Sequence, residues 1–309
     1  MPNDPAILLE KVTKTFDQQN AVNDLSLEIG AGESVALLGH NGAGKTTLIK
    51  LILGLMRPDK GNIRILGEES TSRHRGKNAH AFLGYLPENI AFYNSMSGAE
   101  TLAFFARLKR HPVSDCARIL ERVGLAAAAH KRVGHYSKGM RQRLGLAQAL
   151  LGNPRILMLD EPTTGLDPEL RNAFYDIVRE LEDSGVTVIL SSHALTELEA
   201  HTRKIAIMRK GQLIASGTID DLRRRANLPV HIRLITRPGM GAACAEKIPD
   251  GIGCERINDH GLDLTLPSER KIDVLRHLSA TVPELDDVDI RLQSLGDLYM
   301  HFQKESVVS

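Results

Sequence analysis

The 309-residue chain has no tryptophan, few aromatic residues of any kind (4%) and only three cysteines. Cys116, Cys244 and Cys254 are odd in number and never stand at C-x-x-C spacing, so neither a disulfide framework nor a cysteine-based zinc site is expected. Cys116 shares a helical-period apolar stripe with Ile119, Leu120 and Val123 and is expected in a core. Long apolar runs are missing too. Those at 156–159 and 186–190 are strand-length, far short of the ~20 residues of a membrane-spanning helix. A field of one sign is also lacking. Lys and Arg number 39 against 38 Asp and Glu, a formal net charge of +1, so no polybasic footprint points to nucleic acid. The start, Met1-Pro2-Asn3-Asp4-Pro5, lacks the basic and apolar regions of a secretory signal. These absences place the expected location in the cytoplasm, with any membrane role supplied by a partner.

What is present suits one large domain and one small one: ordinary hydrophobic (42%) and charged (25%) content over a length too great for a single compact core. Residues 7–12, 25–29 and 61–66 alternate apolar with polar, 34–38 is a short buried run, and 46–55 reads as a helix ended by Pro58. From 89 to 150 the pattern turns helical. Ser97-Gly98-Ala99-Glu100 is a capping box for a helix to Leu108, Ser114 is expected to cap the next, Gly124 closes it, and Ser137 opens a third. Strand patterns resume at 156–159, 187–190 and 204–208, with a helix over 169–183. Strands spaced by helices predict a mainly parallel sheet carrying a helical insertion. The first domain is expected over 1–220 and a small α+β domain over 221–309, where Val230, Ile232 and Leu234 alternate, as do Leu262, Leu264 and Leu266, and where 268–278 and 295–302 look helical.

The chemistry concentrates in short runs. Gly39-His40-Asn41-Gly42-Ala43-Gly44-Lys45-Thr46 fits G-x-x-x-x-G-K-[ST] between a strand and a helix, a context that an ordinary glycine-rich turn lacks. Its glycines let backbone amides curl around phosphate, the helix N-terminus adds its positive dipole end, Lys45 reaches the β- and γ-phosphates, and Thr46 offers a hydroxyl to Mg²⁺. With Thr47, this loop is the expected ATP-binding set. At the end of the buried run 156–159 stand Asp160 and Glu161. Alone they would pass for a solvated acidic strand end; beside a P-loop, Asp160 is the expected Mg²⁺ ligand and Glu161 the residue that polarises water.

Tyr136-Ser137-Lys138-Gly139-Met140, about 20 residues before the carboxylates, resembles the signature motif of the ABC ATPases, usually Leu-Ser-Gly-Gly-Gln. Lys138 and Met140 depart from that pattern. The resemblance covers about 6–220 and implies an α/β fold: a P-loop ABC ATPase domain with mainly parallel sheet, helical insertion and antiparallel β subdomain, followed here by the α+β domain. It implies that Phe16 stacks on adenine, that Ser137 and Gly139 bind phosphate across a homodimer interface, and that Asp167 of Thr164-Gly165-Leu166-Asp167 lies along that interface. His193 resembles the switch histidine at the γ-phosphate, completing an expected catalytic set of Glu161, His193 and Lys45. Gly84-Tyr85-Leu86-Pro87-Glu88 occupies the Q-loop position, where Glu88 replaces the usual glutamine as an expected Mg²⁺ ligand. The implied protein is a peripheral ATPase on the cytoplasmic side of the inner membrane, using ATP and Mg²⁺ to drive an integral membrane permease. One P-loop, no heptads and no basic patch argue against a soluble ABC ATPase working on ribosomes or DNA, and the complete catalytic set argues against an inert scaffold. Ser294-Leu295-Gly296-Asp297-Leu298-Tyr299 is similar to a segment near the end of exporter-type ATPases. Residues 39–47, 84–89 and 136–150 are similar to the NosF-type ATPase that serves copper-site assembly in nitrous oxide reductase, which implies a periplasmic maturation protein reached through the permease. The runner-up cargo is a drug, lipid or polysaccharide. His231, Cys244, Cys254 and His260 are scattered, so no Cu(I) site is expected in the second domain.

Overall fold

Two apolar cores, one on each side of Thr218, organise the chain in a computed structural model that describes residues 4–70, 79–282 and 285–305. Most of the start read above for a secretory signal, Met1 to Asn3, lies outside the described residues. The chain divides into compact units Met1–Thr218 and Ile219–Ser309.

In the first unit, β1 (Ile7–Phe16) and β2 (Gln19–Ile29) form a hairpin. Lys11 and Asp24, both at positive φ, accompany breaks in its register. β3 (Ser34–Leu38) leads into α1 (Lys45–Ile52), and β4 (Lys60–Ile65) and β5 (Glu68–Glu69) complete an antiparallel sheet in the order β2-β1-β4-β5. β6 (Leu83–Leu86) precedes the helical insertion of α2 (Gly98–Leu108), α3 (Asp115–Arg122) and α4 (Lys138–Leu150). Then come β7 (Ile156–Asp160), α5 (Pro168–Asp183), β8 (Thr187–Ser192), α6 (Leu195–His201), β9 (Lys204–Arg209) and β10 (Gln212–Thr218). The central sheet runs β10-β9-β3-β8-β7-β6, parallel except where β10 returns antiparallel to β9. Every residue of β3, β7 and β8 is buried, which is why these strands read as continuous rather than alternating apolar runs.

Two helix ends in this unit differ from expectation. The helix expected to Leu55 stops at Ile52: Leu53 is the C-cap, Gly54 takes positive φ, and Leu55 is exposed. Ser114 does not cap α3. It is already helical in φ and ψ, and the first amides, of Asp115 and Cys116, donate to the carbonyls of Pro112 and Val113, so the backbone does what the hydroxyl was expected to do. The capping box at Ser97 and Glu100 is formed in both directions, and Ser137 caps α4. Cys116 is buried with Ile119, Leu120 and Val123.

The second unit comprises α7 (Ile219–Ala226), β11 (Val230–Thr236), α8 (Gly241–Ala245), β12 (Gly253–Arg256), β13 (Gly261–Leu266), α9 (Lys271–Thr281), β14 (Leu285–Arg291) and α10 (Leu295–Glu305). Its sheet is antiparallel in the order β12-β13-β11-β14. Val230, Ile232, Leu234, Leu262, Leu264 and Leu266 share one face and form a core with Cys244 of α8 and Val274 and Leu278 of α9. The helix expected at 268 begins as a 3₁₀ turn, Ser268–Arg270, before α9. Among the described residues, no helix is long and apolar enough to cross a membrane.

Candidate nucleotide site

The carboxyl ends of β3, β7 and β8 meet where the loop 39–44 turns into α1, the place where open α/β sheets bind ligands. Gly44 caps α1 at φ 103°, and a Cβ there would stand 2.2 Å from the Ala21 carbonyl oxygen, so both the turn and the packing demand glycine. Lys45, only 7% exposed, folds back so that Nζ donates to the Gly39 carbonyl at 2.5 Å and lies 3.8 Å from Glu161 Oε1. A buried ammonium held by one carbonyl and one carboxylate is poised for a phosphate. The loop, from His40 to Thr47, lines a cavity of about 350 Å³ together with Ala21, Glu88, Glu161 and His193.

Glu161 takes an unfavourable backbone conformation, φ 48°. Such strain costs on the order of 1–3 kcal/mol and is held by surrounding structure. Here its amide donates to the Ser191 carbonyl at 3.2 Å and to Ser191 Oγ at 3.0 Å. The resulting pose aims the carboxylate at the cavity: Oε2 is 2.8 Å from His193 Nδ1, a distance at which the ring N–H donates to it, and also accepts from Thr164 Oγ1 at 3.4 Å. Asp160 is 2% exposed, and Ser191 Oγ donates to its Oδ1 at 2.5 Å. Parallel register puts Asp160 and Ser191 side by side. Burial first, then the charges of Asp160 and Glu88, push the Tyr85 phenol up to about 12, so it stays neutral beside them. Thr46 and Glu88 line the cavity and are oxygen donors of the kind hard Mg²⁺ takes; Asp160 is a third such donor by chemistry, a buried carboxylate that accepts from Ser191, but it does not itself line the cavity.

Not every candidate comes together here. Phe16 ends β1, partly exposed, with the Lys14 ammonium 5.6 Å from its ring centroid, and it does not line the cavity. Ser137 accepts from the Met140 amide, Asp167 caps α5 by accepting from the Leu170 amide at 2.9 Å, and a Cβ on Gly139 would stand 2.7 Å from Leu170 Cδ1. These three gather where α4 meets α5, away from the cavity lining. Ala21 and Ser191 escaped sequence reasoning. Ala21 reaches the cavity from a different sheet, but the Ser191-Ser192-His193 run at the end of β8 was a usable signal.

Together the fold and the loop define a P-loop nucleotide-binding protein. The family model described as "ABC transporter" matches residues 22–164, and a model for an AAA domain matches 131–199. The chain is 41% identical over 221 residues to the uncharacterized ABC transporter ATP-binding protein YxlF of Bacillus subtilis, covering 70% of this chain and 72% of that one. It is 33% identical over 310 residues to the daunorubicin resistance ATP-binding protein DrrA3 of Streptomyces coeruleorubidus, covering 96% of both. A solved structure of an ATP-binding subunit of an ABC transporter superposes with a TM-score of 0.64 at 31% identity, over 71% of this chain and 92% of that one. The chain belongs to the ABC transporter ATP-binding proteins, a family of ATP hydrolases.

Proposed function

We propose that this chain is the motor subunit of an ABC transporter, hydrolysing ATP in a homodimer docked on an integral membrane permease at the cytoplasmic side of the inner membrane. The observation that carries the reading is the convergence of Lys45, Glu161 and His193 on the P-loop cavity. Lys45 and the loop amides bind the phosphates, and Thr46 and Thr47 open α1 beneath them. Glu161 accepts a proton from the attacking water, and His193, hydrogen-bonded to it, orients that carboxylate and the γ-phosphate. Thr46, Asp160 and Glu88 would hold Mg²⁺, which would neutralise phosphate charge. Phe16 stacks on the adenine. The resemblance of Tyr136–Met140 to the signature motif supports Ser137 and Gly139 serving the nucleotide of the second subunit, with Asp167 along the interface. Purified Glu161→Gln should bind ATP and accumulate as a stable dimer with it, while wild type cycles back to monomer; a variant that turns over normally and never dimerises sinks the reading.

The permease contact is assigned to an aromatic patch of the helical insertion. Tyr93, 68% exposed, packs edge-on to Phe104, 42% exposed, and Phe104 packs edge-on to Phe105. Tyr93 follows Glu88 in the same connection, so nucleotide and partner are sensed by one segment. For the cargo, the likeness of 39–47, 84–89 and 136–150 to NosF-type ATPases supports copper-site assembly in nitrous oxide reductase, with a periplasmic maturation protein beyond the permease. The match to DrrA3, which runs through the second unit, supports export of a drug, lipid or polysaccharide as the alternative. A deletion strain separates them: loss of copper in nitrous oxide reductase supports the first, and drug sensitivity with a fully loaded enzyme supports the second.

A further inference from the structure

Besides the pair Glu161–His193, a second bridge joins the same two segments. Thr163, 4% exposed and just past Glu161, donates through its hydroxyl to Glu197 Oε2 at 2.9 Å. Glu197 follows His193 in the first turn of α6. Its Oε1 takes the Arg171 guanidinium at 2.8 Å, and the buried Tyr175 hydroxyl reaches Oε2 at 3.4 Å. Arg171 also donates to the Leu166 carbonyl at 3.0 Å, inside the loop that ends at Asp167. Arg171, Tyr175 and Arg179 lie one turn apart along α5, and His201 at the end of α6 stacks flat on Tyr175, centroids 4.2 Å apart and planes 5° apart. Arg179 meets the His201 ring at 3.3 Å. One carboxylate carried by α6 thus collects donors from the loop after β7 and from α5.

The Glu161–His193 pair is weakly held by comparison. His193 is mostly exposed, and its recorded hydrogen bond is the one to Glu161. The two carboxylates are alike in exposure, Glu161 at 11% and Glu197 at 12%, but His193 is an exposed partner that fixes geometry poorly, whereas Thr163 and Tyr175 hold Glu197 from buried positions. We propose that Glu197 is a positioning residue for hydrolysis: through Thr163 and Arg171 it locks α6, and with it His193, to the loop that carries Glu161. The proposal rests on the roles given above to Glu161 and His193. It also gives that network a reason to include Leu166, since movement of the 164–167 loop would be passed through Arg171 to the switch histidine.

The test uses the full-length protein and a pair of variants matched in shape. Thr163→Val keeps the side-chain volume and loses the hydroxyl; Thr163→Ser keeps the hydroxyl. Misplacing a reacting group by about 1 Å costs on the order of 100-fold in rate, so Thr163→Val should lower kcat by about 10- to 100-fold with KM and ATP affinity within about twofold, and Thr163→Ser should restore most of it. Adding Glu197→Gln to Thr163→Val should cost no more than the worse single change, because both cut the same link. If Glu197→Gln fails to fold, the Thr163 pair decides alone. Wild-type kcat in Thr163→Val overturns the proposal, as does a loss of kcat matched by an equal loss of ATP affinity that Ser does not restore, the mark of a purely structural staple. His193→Ala and Glu161→Gln belong in the same series. If they turn over normally, the assignment of the pair fails; if they are inactive while Thr163→Val is not, only the positioning role of Glu197 fails.

Discussion

The two units treat their charged groups in opposite ways. In Met1–Thr218, Lys45 at the start of α1 and Asp160 at the end of β7 are buried, and Glu161 is held at positive φ beside them. In Ile219–Ser309, the buried polar residues among those described are the uncharged Thr236 and Gln293, while charges pair across the open face of the sheet, as Arg233 does in a fork with Asp263. Burying charge without full compensation is costly and is retained where chemistry uses it; paired surface charge mainly keeps a face soluble. The contrast places catalysis in the first unit and leaves the second with a self-satisfied sheet.

The sharpest way to break this contrast is Lys45→Ala. A charge-assisted hydrogen bond to phosphate is lost, so ATP affinity should fall by on the order of 100-fold in equilibrium titration while the fold persists. Next is a core deletion in the other unit. Leu264 is fully buried, and Leu264→Ala should cost about 2–5 kcal/mol in that unit. Limited proteolysis should then cut 219–309 first, with ATP turnover of the remainder within about threefold of wild type. Loss of turnover in step with that cleavage would mean the second unit supports the site.

A smaller effect is expected at Glu88, which lines the cavity. An amide and a carboxylate both offer oxygen to Mg²⁺, so Glu88→Gln should keep most ATPase activity with a shifted Mg²⁺ requirement, while Glu88→Ala should weaken permease-stimulated turnover more than nucleotide binding. A Mg²⁺ titration of the reconstituted transporter in which Gln fails as badly as Ala would show that the charge itself matters. The smallest effect belongs to the second unit's surface. The hydrogen bonds from Arg233 hold the Asp263 carboxyl below its ordinary 3.8. A carboxyl depressed by folding contributes stability above its unfolded pKa and loses it as pH falls through the folded value. Asp263→Asn should therefore lower Tm slightly at neutral pH, and the difference from wild type should vanish on acidification below 3.8.

Legibility in the sequence followed locality. The P-loop and the capping box are contiguous runs whose chemistry needs no knowledge of neighbours, whereas the Asp160–Glu161 pair was legible only beside the P-loop. Ser191 and Glu197 act only because parallel register and the return of α6 bring distant segments together, and neither type of residue is diagnostic alone. β14 went unread because its apolar alternation is short: Val288 and Ile290 alternate with Asp289 and Arg291, but Asp286-Asp287 interrupts the pattern in this exposed edge strand. Ser114 shows the opposite failure: a good capping residue stands where the chain was already turning, so its hydroxyl was not needed.

Glu161 drives the chemical step at a site built by Lys45 and His193 in the function proposed above. Single-turnover hydrolysis, with enzyme in excess over ATP, tests it most directly because product release no longer enters the rate. General-base catalysis contributes about 10²–10⁴-fold, so Glu161→Gln should bind ATP as wild type does and cleave it slower by about that factor. Cleavage at the wild-type rate under the same conditions would contradict the account.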